Sequence, residues 1–481
     1  MENSITLRTG ISSILILVIS LPTFGQKAEN KGIEGIWMGT LKASLVELRV
    51  VFKISRNEDG LLVAKMDSPD QGAENIPVDK VTFENGSLHL DSKVIQGSYD
   101  GKMQVDDSIE GTWQQAGISF PLVLKRIKEA PKLGRPQEPK KPYPYIEEEV
   151  SYKNEKAGIK LAGTLTLPRS GQPFPAVILI SGSGPQDRNE AILGHRPFLV
   201  LADYLTRKGI AVLRVDDRGV GGSTGDSFES TSEDLAEDVL ASVEYLKGYG
   251  LINHKQIGLI GHSEGGIIAP IAATRSSDIA FIVLMAGTGL PGREILYLQS
   301  DLILKAAGAS NEVLAVQRAS LDQIFNILKD QKDSTVVKEK IREALTNTFN
   351  KLSKEEKDSL GVSEAALEIQ LKMLLSRWFR FFVEYDPKPT LMKVKCPVLA
   401  INGELDLQVP PKENLAAIEA ALKAGGNKNY TIRELPKHNH LFQRAKTGSL
   451  LEYAKIEETI SPIALETITQ WILAQIKQDK I

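Results

Sequence analysis

The sequence predicts an α/β protein built on a doubly wound, mostly parallel sheet and preceded by a small all-β domain. Three observations carry that expectation. Near-continuous apolar runs alternate with helical patterns in the second part of the chain, short strands with regular turn pairs fill the first part, and a proline-rich stretch separates the two. At 481 residues the chain is too long for one ordinary domain. Hydrophobic content of 42% and charged content of 25% are ordinary globular values that allow a full core. The net charge of −3 supplies no basic field that would draw nucleic acid or an anionic membrane surface.

Residues 1–25 have the form of an export signal. Arg8 precedes the apolar run Ile11 to Leu21, Pro22 ends it, and Thr23-Phe24-Gly25 places small residues at the −3 and −1 positions. Cleavage after Gly25 would leave Gln26 as the mature start and place the protein outside the cytoplasm, secreted or periplasmic. The run is short for a membrane span, which needs about 20 apolar residues, so no stable membrane anchor is expected. The single cysteine, Cys396, excludes an intrachain disulfide and a thiolate metal cluster.

Residues 32–127 read as the all-β domain, a sandwich or barrel. Ile36 to Leu41, Leu48 to Ile54 and Gly60 to Met66 are strand-like, and the pairs Asp59-Gly60, Asn85-Gly86 and Asp100-Gly101 favour tight hairpins. Gly35-Ile36-Trp37 near the start is echoed by Gly111-Thr112-Trp113 near the end. His89 alternates with Leu88 and Leu90, as a strand-surface residue would. Residues 128–145 carry repeated prolines and read as an extended, semi-rigid linker.

Residues 146–481 carry the α/β pattern. Ala176 to Ile180, Ile210 to Val215, Ile257 to Ile260, Phe281 to Met285 and Val398 to Ile401 are apolar enough to be parallel strands buried on both faces. Ser232 to Leu246 has helical spacing, with Thr231 and Asp234 as a capping pair. Between 288 and 390 the chain turns helical and charged, as in Glu339 to Phe349 and Glu364 to Phe381, which predicts a helical cap inserted into the sheet domain. Leu371, Leu374, Leu375, Trp378, Phe379 and Phe382 form an apolar stripe there.

Gly261-His262-Ser263-Glu264-Gly265 sits between the strand Ile257 to Ile260 and the helix start Gly266 to Ala269. Strand, G-x-S-x-G, helix is the nucleophile elbow of an α/β-hydrolase. A serine on that turn needs a base, and the base needs an orienting acid, in the chain order Ser, acid, His. Asp406 follows the strand Val398 to Ile401 on a loop and is the acid candidate, with Glu404 as the alternative. Of six histidines, His438 and His440 follow the last strand, Tyr430 to Leu435, and His440 leads into Leu441-Phe442. His262 is expected to point away from the nucleophile beside it. Backbone donors for an oxyanion are expected from Glu264, directly after Ser263, and from the loop Ser181-Gly182-Ser183-Gly184-Pro185, with Ser183 first and Gly184 second. Asp216-Asp217-Arg218-Gly219 follows the next strand, and Arg218 is expected to tie loops together.

With these residues in place the chain resembles the EstD-like bacterial α/β-hydrolase esterases, relatives of the serine aminopeptidase and dienelactone-hydrolase groups. The matching pieces are Ile180 to Arg188, Asp217-Arg218-Gly219, Gly261 to Gly266, Gly403-Glu404-Leu405-Asp406 and Asn439-His440-Leu441-Phe442. The resemblance implies hydrolysis of small-molecule carboxylic esters, with Ser263, Asp406 and His440 as triad and with no cofactor or metal. It favours His440 over His438. Two other readings stand beside it: a peptidase using the same triad, and a binding protein working through its β-domain. Substrate is less specified than triad, because one fold hosts many chemistries.

Overall fold

Phe174–Ile180 reads FPAVILI, and its unbroken apolarity has a packing cause. Ala176, Ile178 and Ile180 enter one hydrophobic core, while Val177 and Leu179 enter another on the opposite face. A strand with a core on each face needs apolar residues at both parities. The computed structural model describes residues 32–478 apart from 44–45, 72, 116–117, 132–133, 332 and 351–363. The export signal expected over residues 1–25 lies outside the described residues. No described helix is long and apolar enough to cross a membrane.

Two compact units divide the chain. One comprises residues through Gly134 together with Leu304–Lys372; the other comprises Arg135–Ile303 and Met373–Ile481.

In the first unit, nine strands form one antiparallel sheet: β1 (Gly35–Ala43), β2 (Val46–Arg56), β3 (Leu62–Ser68), β4 (Ala73–Val78), β5 (Lys80–Glu84), β6 (Ser87–Ser92), β7 (Gly97–Met103), β8 (Ser108–Gln115) and β9 (Ile118–Ile127). Their order is β4-β3-β2-β1-β9-β8-β7-β6-β5. The sheet curls until Ser92 Oγ of β6 donates to the Pro77 carbonyl of β4 at 2.7 Å, giving a nearly closed barrel. The interior is aromatic. Trp37 and Trp113, from the two echoing Gly-x-Trp segments, are buried with Phe52 and Tyr99. The Tyr99 hydroxyl lies 3.0 Å from the Ile109 carbonyl and 3.1 Å from that of Leu122, meeting the need of a buried phenol for a partner. The same unit holds the helical segment, including Asn311–Asp330 and Ser334–Asn350.

In the second unit, eight strands form the mixed sheet: β10 (Ile146–Asn154), β11 (Ile159–Leu167), β12 (Phe174–Ile180), β13 (Ala211–Val215), β14 (Ile252–His262), β15 (Ile279–Met285), β16 (Val398–Gly403) and β17 (Tyr430–Leu435). The order is β10-β11-β13-β12-β14-β15-β16-β17, antiparallel at β10 and β11 and parallel from β13 to β17. Helices α1 (Pro197–Arg207), α2 (Ser232–Lys247) and α3 (Gly265–Arg275) follow β12, β13 and β14. Phe198 and Leu201 of α1 pack on one sheet face, and Ala236, Val239, Ile267 and Ile271 of α2 and α3 on the other, which is a doubly wound arrangement. Thr231 and Asp234 form a reciprocal capping box at the start of α2.

Three expectations need correction. The 288–390 segment is not a single cap. Ile295 and Phe382 lie in the main sheet core, so both ends of the segment belong to the hydrolase unit and only 304–372 is assigned to the other unit. The stretch expected as one helix from 364 to 381 breaks at Ser376, whose hydroxyl accepts the Phe379 N–H at 3.1 Å and starts a new helix, Arg377–Glu384. The linker, expected as an extended, semi-rigid spacer, is docked on the hydrolase unit after Gly134. Arg135 donates to the carbonyls of Ile456, Ala454, Leu193 and Gly194, and Gln137 bonds the backbone of Thr459 and Ile460.

Leu259 lies at the centre of β14 with no exposed surface, whereas Leu61 is 64% exposed. Leu259→Ala is expected to cost about 2–5 kcal/mol and Leu61→Ala under about 0.5 kcal/mol, read as urea-unfolding midpoints of the two variants. Equal midpoints would contradict this core assignment.

Candidate active site

The strand order determines where a site can form. From β12 the chain steps to β13 on one side and then to β14 on the other, so a crevice opens beyond the carboxyl ends of β12 and β14. The loop beginning at Ser181 leaves β12 there, and Ser263 leaves β14 there.

Close backbone packing builds the turn at Ser263. A methyl group added at Gly261 would sit 2.0 Å from the Gly265 carbonyl oxygen, and one at Gly265 would sit 2.3 Å from that of Ile180. One at Gly266 would meet the Gly287 Cα at 2.5 Å. Only glycine allows these approaches. Ser263 itself has φ of 53°, left-handed for a residue with a side chain, which costs roughly 1–3 kcal/mol and needs surrounding structure to hold it. The Ser263 N–H donates to the Met285 carbonyl at 2.8 Å, and the Gly266 N–H to the Ser263 carbonyl at 2.9 Å. Gly182 lies against this turn, since a Cβ there would stand 3.2 Å from the Ser263 Cβ.

The acid and base candidates meet on adjoining loops. His440 Nδ1 lies 2.8 Å from Asp406 Oδ2, and both side chains are buried. Asp406 Oδ1 accepts the N–H groups of Gln408 and Val409 at 2.8 and 2.9 Å, so the carboxylate is fixed on both oxygens. Gly403 permits the approach of the two loops, because a Cβ there would be 2.3 Å from the His438 carbonyl oxygen. Asn439 Oδ1 accepts the N–H groups of Leu441 and Gln443, which fixes the turn carrying His440. Glu404 faces elsewhere and accepts the Lys437 N–H at 2.8 Å.

The other histidines have other partners. His438 lies between Ser461 Oγ and the Pro436 carbonyl, at 2.6 and 2.7 Å. His89 pairs with Asp100 in the β-barrel, and His254 is exposed. His195 is fully buried between Thr459 Oγ1 and the Tyr453 carbonyl. Arg218 bonds Asp238, Ser230 Oγ and the Asp234 carbonyl, which ties the loop after β13 to α2. Burial pushes the Cys396 thiol up to about 12, so it stays protonated at neutral pH.

Two polar groupings beside Ser263 have no local sequence signal. The His262 ring lies between Glu190 Oε1 at 2.9 Å and the His440 carbonyl at 3.0 Å. The Glu264 carboxylate accepts Ser232 Oγ at 2.7 Å and the Trp378 indole N–H at 2.8 and 2.9 Å. Burial raises its carboxyl above the ordinary range against the pull of those bonds. The Gly182 N–H is taken by Glu190 at 2.8 Å.

Fold and site together define a hydrolase of the esterase and peptidase superfamily with the α/β-hydrolase fold. The chain belongs to the X-Pro dipeptidyl-peptidase (S15) family, whose profile matches residues 133–435. It is 24% identical over 393 residues to esterase EstD of Thermotoga maritima, an alignment covering 79% of this chain and 81% of that one. An uncharacterized 31.7 kDa protein of Escherichia coli is 24% identical over 56% of this chain and 84% of its own. Among solved structures, the Pyrococcus furiosus esterase Pf2001 aligns at 17% identity with a TM-score of 0.42, covering 73% of this chain and 99% of that one.

His195 gives a test of the folded state by acid. Burial lowers its pKa from 6.5 to about 4, so the folded protein keeps it neutral while the unfolded chain titrates near 6.5. Between those values the unfolded state binds more protons. The stability tied to the neutral ring is therefore complete above pH 6.5 and is lost as pH falls toward 4. Urea-unfolding curves from pH 7 to pH 4 are expected to show the native chain weakening more steeply than His195→Gln. Parallel curves would contradict the assignment.

Proposed function

We propose that the protein is an exported serine esterase that hydrolyses carboxylic esters of short to medium acyl chains through Ser263, His440 and Asp406. The observation that supports it most strongly is the buried Asp406–His440 contact of 2.8 Å, with the His440 carbonyl 3.0 Å from the ring of His262, the residue before the strained Ser263 turn. In this reading Asp406 holds the His440 imidazole in the tautomer with hydrogen on Nδ1, which leaves Nε2 as the base. Ser263 Oγ attacks the ester carbonyl carbon as Nε2 takes its proton. The N–H groups of Ser183 and Glu264 receive the negative oxygen of the tetrahedral intermediate. His440 then gives the proton to the leaving alcohol oxygen, and the acyl group remains on Ser263. Water, losing a proton to His440, attacks that acyl ester. The proton returns to Ser263 Oγ as the carboxylic acid departs.

Gly182 is unsuited to the second oxyanion contact because its N–H already serves Glu190, which favours Ser183. Trp378, bonded to Glu264 and stacked on Phe382 with ring centroids 5.6 Å apart, supplies an apolar surface next to the turn. That surface suits an acyl chain.

A second reading is a peptidase on the same residues, favoured by the family match to X-Pro dipeptidyl-peptidases. Similarity to EstD over 79% of the chain favours the ester. Hydrolysis of p-nitrophenyl esters from acetate to decanoate, beside aminoacyl and X-Pro p-nitroanilides, separates the two. Ester cleavage is expected to dominate, and anilide cleavage in excess would replace the esterase reading. Ser263→Ala is expected to abolish turnover. Asp406→Asn should lower kcat on the order of 10³–10⁴-fold with little change in KM. Ester hydrolysis surviving Ser263→Ala would remove the mechanism.

The N-terminal segment, read as an export signal, supports export. The protein recovered from its native host is expected outside the cytoplasm with Gln26 as its first residue, read by mass spectrometry of the N-terminal peptide. An intact segment on a cytoplasmic protein would overturn that.

A further inference from the structure

We propose that Glu190 and His262 form a buried ion pair that positions three parts of the catalytic apparatus at once: the loop after β12, the elbow strand and the backbone of His440. The inference rests on the esterase reading above and adds two positioning residues to it.

Both side chains are almost fully enclosed, with Glu190 at 4% exposure and His262 at 6%. His262 Nδ1 lies 2.9 Å from Glu190 Oε1, and Nε2 lies 3.0 Å from the His440 carbonyl oxygen. An ionised carboxylate and a backbone carbonyl only accept hydrogen bonds. A neutral imidazole has one N–H to give, and an imidazolium has two. With both nitrogens donating, the ring is a cation and Glu190 is its counter-ion. Burial of His262 opposes the charge, and Glu190 with the His440 carbonyl outweighs it, which moves the ring above the ordinary histidine range. Asp406 adds a further attraction. The other titratable groups that face the pair are Asp217, beside Glu190, and His440, against the His262 ring.

The geometry assigns each contact a task. Glu190 Oε1 also accepts the Gly182 N–H at 2.8 Å, which holds the loop beside Ser263. His262 immediately precedes Ser263, and its ring packs on that of His440 with centroids 4.8 Å apart. Its Nε2–H anchors the main chain of the proposed base. Glu190 reaches this place from a left-handed backbone, φ 51°, and its Oε2 is buried without a hydrogen-bond partner among the described residues. A strained residue with a bare carboxylate oxygen is costly to keep. A pair whose charge orders the surrounding loops accounts for that cost.

The test begins with the full-length chain, its histidines labelled with ¹⁵N. The His262 signals, assigned by their loss in His262→Gln, are expected to show both nitrogens protonated at pH 8. A neutral His262 at that pH, with the proton on Glu190 instead, would overturn the ion pair. Glu190→Gln keeps the side-chain size but removes the counter-charge. It is expected to lower kcat about 10–100-fold on the preferred p-nitrophenyl ester with KM changed less than about threefold, in a protein that still unfolds cooperatively. Unchanged kcat would overturn the positioning role, and if the variant fails to fold, the NMR result on the native chain still decides. Activity persisting in Ser263→Ala would instead defeat the esterase reading and leave the protonation result standing.

Discussion

Everything at this site depends on how closely the backbone packs around Ser263. The serine holds φ of 53° because Gly261, Gly265 and Gly266 let the end of β14, the start of α3 and the loop after β15 touch through main-chain atoms. A side chain at any of these glycines would stand 2.0–2.5 Å from backbone atoms and force the turn apart. Displacement on that scale separates reacting atoms that must stand within about 3–3.5 Å. The parallel strands supply the rigidity behind it, with a core on each face and almost no exposed surface from Ile257 to His262.

Around this turn the chain buries three carboxyl groups that draw hydrogen bonds from several segments. Asp406 has both carboxylate oxygens engaged, by two N–H groups and by His440. Glu264 gathers Ser232 and Trp378. Glu190 gathers Gly182 and His262. An isolated carboxylate would be costly at such burial. Each of these connects segments far apart in sequence, so the same contacts that satisfy the charge also fix the loops relative to one another. Trp378 shows the reach of the scheme, since its bond to Glu264 draws the helix Arg377–Glu384 to the elbow from 114 residues away.

The sequence made the frame legible where the signal was local. Apolar runs marked β12 to β16 because buried parallel strands require them, and the Gly-x-Ser-x-Gly spacing marked the turn because sterics require it. Thr231 and Asp234 announced the start of α2 for the same reason. Glu190 gave no signal, because its partners His262 and Gly182 are set by tertiary packing and nothing at residue 190 differs from a surface glutamate. Periodicity in 288–390 reported apolar helix faces; the stripe carrying Phe382 was expected to pack on the core domain and does, whereas Ile295, read as part of the cap, also proved to be core. Ser376 was lost inside an apolar stripe, although a serine before a charged first turn is a fair N-cap. Prolines in 128–145 signalled extension but not docking, which Arg135 and Gln137 bring about through carbonyls over 300 residues downstream.

The central claim is that Ser263 carries the acyl group, and the most direct measurement is to trap it there. The full chain, incubated with a fluorophosphonate probe and digested, is examined by mass spectrometry of the peptide spanning Ser263. The account predicts one adduct per chain on Ser263, with labelling that fails when His440 is replaced by Gln. An unlabelled chain, or an adduct on another residue in a protein that still hydrolyses esters, would contradict it.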